Sequence, residues 1–436
     1  MGRAFMLFLT LMLVPLIYLG VIPALKTKAE DSPPGKPVTS FFIAMSTKEY
    51  REEPEIPPDA ERPPVVEESE VLDLFPEWKA DYKMPSTVAD ERIIESYLEL
   101  LTLRQKIGQR FIAHIQGKER TERTRELIKD DFIAGIILYP WNVESPSQVK
   151  ELTSWIQETS LENDPPVRLF ICVDQEGGRV NAFKFKEMTR LSSPYYWGQY
   201  NDPAYVESIA YVVGREILEL GCNMNFAPVL DVYGEPDTTI IGDRSMGSDP
   251  STVGTYGIHY LKGAQRAGIV PVIKHFPGHG STTIDSHMDL PIVEMTEAEL
   301  FDRDLAPFRM AIEKGAEALM TSHVLYRLID PEYPATLSVY ILRKLLRDRL
   351  DFHGVVVSDG ISMGALSKNF DLTETLRLSF KAGIDLILVH ARYDVADMVG
   401  RVEELYTSGE ITEEEIDEGV RRILRLKLKY GLLTEY

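Results

Sequence analysis

Between about Glu91 and Tyr436 the chain alternates short apolar, β-rich runs with amphipathic helical stretches, and it does so eight times. The runs lie at 110–115, 134–139, 169–174, 224–229, 270–275, 318–323, 354–359 and 386–390. They do not switch regularly between apolar and polar residues. That is the pattern of strands covered on both faces of a parallel sheet. Helical stretches sit between them at 202–219, 299–314, 338–349 and 372–382. A last one, Thr412 to Tyr430, opens Thr-Glu-Glu-Glu and stops at Gly431, so a closing helix is expected. Eight such units predict an α/β chain folded as a (β/α)8 TIM barrel rather than an open doubly wound sheet. Chemistry in such a barrel gathers at the C-terminal strand ends. Five of those ends are polar: Asp174-Gln175-Glu176, Asp231, Lys274-His275, Ser322-His323 and Ser358-Asp359. A polar pocket at one mouth follows.

Two segments precede this domain. Residues 4–25 carry no charge, with Arg3 before them and Lys26 and Lys28 after. The run is about long enough to cross a bilayer. Small residues Thr27 and Ala29 suit a cleavage site, so 1–29 reads as a signal peptide or an uncleaved signal anchor. No cysteine follows it, which excludes a lipoprotein. Either reading exports the rest, leaving it membrane-anchored, periplasmic or extracellular. Residues 30–90 are rich in Pro and Glu, including Pro33-Pro34, Pro57-Pro58 and Pro63-Pro64. Such a stretch cannot bury enough apolar surface to fold alone and reads as a tether. Residues 91–436 form the barrel domain.

Composition removes several classes of function. The formal charge of −21 repels phosphate backbones, so no nucleic-acid partner is expected. Two cysteines exclude a disulfide scaffold and a four-cysteine zinc module. Cys172 and Cys222 read as small buried hydrophobes, with a disulfide between neighbouring strands as the alternative an exported setting allows.

The densest motif is Lys274-His275-Phe276-Pro277-Gly278-His279-Gly280, followed by Asp285-Ser286-His287. Pro277, Gly278 and Gly280 forbid the helix that would bring two histidines together as zinc ligands, so no metal is expected. Asp285 can accept a bond from one ring nitrogen of His287 and leave the other for a substrate oxygen. That arrangement suits proton transfer near neutral pH. A polar loop of hydrogen-bonded histidines is the plain alternative. In Val355-Val356-Val357-Ser358-Asp359-Gly360, Asp359 ends a strand, where an aspartate can be a nucleophile, a metal ligand or a helix cap. Val173-Asp174-Gln175-Glu176-Gly177-Gly178-Arg179-Val180 pairs two glycines in a tight turn, lacks a dinucleotide fingerprint, and offers Asp174 to sugar hydroxyls. In Gly242-Asp243-Arg244-Ser245-Met246-Gly247, Arg244 is a candidate for a hydroxyl or carbonyl contact.

Together these motifs give the chain a family resemblance. It resembles the β-N-acetylhexosaminidases of glycoside hydrolase family 3, of the peptidoglycan-recycling N-acetylglucosaminidase type. The match covers essentially Glu91 to Tyr436, and even Gln105-Lys106-Ile107-Gly108-Gln109 and Arg421-Arg422-Ile423-Leu424 resemble the family's opening and closing helices. The Lys274–Gly280 motif with Asp285-Ser286-His287 is its discriminating pair. The resemblance implies a (β/α)8 fold and a retaining exo-hydrolase releasing terminal N-acetylglucosamine from peptidoglycan fragments or chitin-type oligosaccharides. It makes Asp359 the nucleophile and His287, paired with Asp285, the acid/base. It makes Asp174, Arg244, Lys274 and His275 sugar-binding residues. It implies no cofactor, no metal and a monomer with a carbohydrate as its partner. Many relatives carry arginine where Ala182 stands, so one secondary sugar contact is missing here. A phosphorylase, in which phosphate replaces water, is the neighbouring chemistry. A non-catalytic sugar- or wall-binding protein would have to keep Asp359 and the Asp285–His287 dyad unused. A redox or aldolase barrel would need a phosphate-binding glycine loop after the last strands, which this sequence lacks.

Overall fold

The computed structural model describes residues 88–233, 240–282, 285–390 and 392–433. The expected signal or anchor and most of the expected tether lie outside them. Each of the eight apolar runs contains a strand: β1 Phe111–His114, β2 Gly135–Leu138, β3 Phe170–Val173, β4 Met224–Asn225, β5 Ile273–Phe276 (preceded by a stub, Val270–Pro271), β6 Ala318–Thr321, β7 Val355–Val357 and β8 Ile387–Val389. All their pairings are parallel. β1 pairs with β2, β2 with β3, β3 with β4, and β4 with the stub before β5. A single bridge joins Val229 to Lys274. β5 pairs with β6 through an irregular register, and β6 with β7. A bridge joins Val357 to Leu386, and β8 pairs with β1, Phe111 opposite Ile387. The series thus returns to its first strand, a TIM-barrel-like α/β arrangement.

Two apolar clusters explain why the runs do not alternate in polarity. Ile112, Ile137, Phe170, Met320 and Leu388 belong to one cluster. Their strand neighbours Phe111, Ala113, Ile136, Ile171, Leu319 and Ile387 belong to a second, which also takes helix residues such as Val206, Ile217 and Leu261. Successive side chains on a strand point to opposite faces, and here both faces are covered. The closing helix, Glu413–Lys429, is set by a reciprocal cap between Thr412 and Glu415. It sends Ile423 and Leu426 into the first cluster. It is tied to the helix Val88–Leu100 by Arg425–Glu91 and Arg421–Glu95 ion pairs. That first helix straddles the boundary expected at 90/91.

One helix departs from expectation. The stretch 299–314 is split into Glu297–Asp302 and Ala306–Glu313. At the break Asp304 turns inward, accepts a bond from Ser281 Oγ at 2.8 Å and is buried. Pro307, which lacks an N–H, restarts the second piece near its first turn. Cys172 and Cys222 are both buried and unpaired. Cys172 Sγ lies 3.5 Å from Met224 Sδ, so the hydrophobic reading holds and the disulfide does not form.

Candidate active site

The polar strand ends converge. After β3, Asp174 and Glu176 face Lys274 of β5. Lys274 Nζ lies 2.7 Å from Asp174 Oδ1 and 2.5 Å from Glu176 Oε1. Arg244 donates from Nε and Nη2 to the two oxygens of Glu176 at 2.7 and 2.8 Å, a bidentate fork. The Glu176 side chain is 1% exposed. Burial alone would raise its pKa, but Arg244 and Lys274 hold it down at about 2. Lys274 and Arg244 are in turn held protonated, against burial, by Asp174 and Glu176. Two carboxylates and two cations thus make a fixed, nearly neutral array of donors and acceptors, the kind of wall that reads sugar hydroxyls. The bend that carries Glu176 needs Gly177, whose φ is 109° and whose missing Cβ would stand 2.5 Å from Ser192 O.

Asp231 is a second hub. Its side chain is 0% exposed. It takes His275 Nδ1 at 2.7 Å and the backbone N–H of His279 at 2.6 Å. Burial opposes its charge, and His275 foremost outweighs that. His275 is therefore held with Nδ1 toward Asp231 and Nε2 toward Arg244 Nη2, 3.4 Å away.

Asp359 follows β7. Its Oδ1 accepts the N–H of Gly360 at 2.7 Å. Burial would raise its pKa, yet the imidazoles of His323, His275 and His287 and the Gly360 N–H hold it well below the usual carboxylate range. A carboxylate so placed is ionised at every working pH. His323 is buried, with Nδ1 2.7 Å from Thr336 Oγ1 and Nε2 3.1 Å from Gly360 O. It fixes the peptide that follows the carboxylate. On the other side, Gly360 abuts the ring of His390, whose Nε2 meets Tyr139 Oη at 2.5 Å. Tyr139 stacks on Trp141 with centroids 4.5 Å apart, and the indole is 44% exposed.

His287 stands on the loop after β5. Its Nδ1 meets Asp285 Oδ1 at 2.9 Å, and the same oxygen accepts the His287 N–H at 2.8 Å. That bond, foremost, raises the imidazole pKa above its ordinary value, with Asp359 adding to it against burial. The ring is 67% exposed, so Nε2 can exchange a proton with a substrate oxygen. The loop is docked on the segment after Asp359. Gly364 N donates to His287 O at 3.1 Å, and Ala365 N to Ser286 O at 3.0 Å.

The structure therefore brings Asp174, Arg244, Lys274 and His275 into one hydrogen-bonded set, with Asp359, Asp285 and His287 on the loops beside it. Glu176, Asp231 and His323 carry parts for which the sequence suggested no role, though all three stood at polar strand ends. Among the described residues no group of three or more His, Cys, Asp or Glu is arranged to hold a metal.

The family model for the glycosyl hydrolase family 3 N terminal domain matches residues 102–426. The chain belongs to glycosyl hydrolase family 3. Within it, the chain is 31% identical over 326 residues to "Beta-hexosaminidase A" of Pseudoalteromonas piscicida, covering 70% of this chain and 54% of that one. It is 37% identical over 281 residues to a "Beta-hexosaminidase" of Thioalkalivibrio sulfidiphilus, covering 63% of this chain and 78% of that one. Among solved structures, a family 3 beta-N-acetylglucosaminidase from Paenibacillus sp. superposes with a TM-score of 0.74 at 40% identity. That match covers 76% of this chain and 63% of the other. The chain thus spans less than two thirds of the Pseudoalteromonas protein and of the Paenibacillus structure. The Ala182 side chain is buried and offers a sugar no hydrogen bond.

Proposed function

We propose that this chain is an exported, exo-acting retaining β-N-acetylglucosaminidase built on a closed (β/α)8 barrel. Its substrates would be peptidoglycan fragments or chitin-type oligosaccharides ending in N-acetylglucosamine. Residues 1–29 would supply the signal or anchor, 30–90 the tether and 91–436 the hydrolase, acting as a monomer without a cofactor. The uncharged run 4–25 supports export, and the hexosaminidase names of the relatives support the sugar.

The observation that carries the chemistry is the Asp285–His287 pair beside an ionised Asp359. Asp174, Lys274, His275 and Arg244 hold the terminal sugar. Protonated His287 gives its proton to the leaving oxygen while Asp359 attacks the anomeric carbon and forms a glycosyl ester. His287, now neutral, takes a proton from water as that water displaces Asp359. The two steps retain configuration. The imidazole thus serves as acid in the first step and base in the second, the part a carboxyl group plays in most retaining glycosidases.

The test is hydrolysis of chromogenic β-N-acetylglucosaminide and β-glucoside by the protein, with and without phosphate. The expected result is activity on the acetamido sugar alone, independent of phosphate. Asp359→Ala should abolish it, and His287→Ala should lower kcat by roughly 10²–10⁴-fold. Turnover that requires phosphate would make the protein a phosphorylase. Binding of the sugar without turnover would make it a sugar-binding protein.

A further inference from the structure

His279 belongs to the same motif as Lys274 and His275, yet neither the proposed sugar contacts nor the proton transfer uses it. It is 3% exposed. Its backbone N–H donates to Asp231 Oδ1 at 2.6 Å. Its ring lies between two hydroxyls: Nδ1 is 2.8 Å from Thr282 Oγ1, and Nε2 is 3.1 Å from Ser286 Oγ. Ser286 sits between Asp285 and His287 and is buried at 2%. Thr282 Oγ1 also lies 2.9 Å from the carbonyl of His279. A hydroxyl has one proton. If Thr282 gives its proton to that carbonyl, it accepts from His279 Nδ1–H. Nε2 is then the acceptor, and Ser286 O–H donates to it. A neutral ring satisfies every bond. A doubly protonated ring would turn Nε2 into a donor and force the Ser286 hydroxyl to turn. Burial foremost, then the charge of His275, holds the imidazole near a pKa of about 4, against the pull of Asp231, so the neutral form is the one present.

The geometry points to His279 as a positioning residue, whose ring latches Ser286 and so fixes the loop that presents His287 to the scissile oxygen. Asp231 joins this latch to the sugar side, because one carboxylate holds both the His275 ring and the His279 N–H. The latch rests on the proposed hydrolase reading only for its consequence in the rate. Its structural half stands alone.

The experiment uses the full chain and two variants that break the same bond from opposite ends, His279→Asn and Ser286→Ala. Two readouts are taken. The first is amide hydrogen exchange over residues 285–288, which should speed up in both variants while the strands stay protected. The second is kcat/KM on two N-acetylglucosaminides, one with a poor alkyl leaving group and one with dinitrophenolate. Only the first needs a proton from His287 to depart. A misplaced acid should cost about 10- to 100-fold on the alkyl glycoside and almost nothing on the dinitrophenyl one. Together the two substitutions should cost no more than one, as for groups in a single bond. Equal losses on both substrates would show a general structural defect and overturn the inference. So would unchanged loop exchange in Ser286→Ala, whatever the activity. If the wild type cleaves neither glycoside, the functional reading fails, and the exchange result still decides the latch.

Discussion

At the residue scale, the site is a set of charges that depend on one another. Glu176 faces two cations, neither of which can leave. Glu176→Ala strips both of their shared buried partner, so it should cost about 3–5 kcal/mol of folding stability, read from denaturant midpoints, and should abolish sugar binding. The dyad makes a different prediction. The His287 pKa is raised chiefly by its bond to Asp285, so its acid form persists above the ordinary value and is lost as pH climbs through the raised one. In Asp285→Asn the alkaline limb of kcat/KM should move to lower pH. Asp359, held far more acidic, should stay ionised across that range in both proteins. The Asp285–His287 pair and the strand-end Asp359 were legible as a candidate site because both stand in dense, short-range motifs. Glu176 and Asp231 were not. A carboxylate in a sequence carries no sign of whether it will meet two cations or two backbone N–H groups, since those partners arrive from strands far along the chain.

At the scale of elements, legibility followed locality. The closing helix could be read from its own cap, Thr412 with Glu415, and that cap is formed. Thr412→Ala should cost about 1 kcal/mol, seen as a lowered denaturation midpoint at constant slope. The break inside 299–314 could not be read, because its cause is tertiary. Asp304 turns in beneath Gly278, where a Cβ would stand 2.6 Å from the aspartate's own. The ends of β7 and β8 make a similar close approach. A Cβ on Gly360 would lie 2.4 Å from His390 Cε1. Gly360→Ala should therefore destabilise the protein by about 1–3 kcal/mol, shift His390 off Tyr139 and depress turnover with it. Thermal melts and kcat on the same preparation would check this.

At the scale of the molecule, the eight runs were legible because parallel strands joined by helices take their sequence neighbours as spatial neighbours. The pairing order β1 through β8 follows that rule. Removing residues 1–87 should leave the melting temperature and kcat/KM on a soluble aryl glycoside unchanged, since the described helix Val88–Leu100 already docks on the closing helix. A large fall in either would show that the leading segment helps to build the hydrolase. The pairing of β1 with β8 also has a consequence for synthesis. β1 is the first of the eight strands made, and one of its two edges waits for the last of them. Until the ribosome has passed Val389, Phe111–His114 presents bare amides and carbonyls to any other strand. A protein cut or stalled before that point should aggregate rather than fold, and the cell has reason to keep the growing chain covered until β8 emerges.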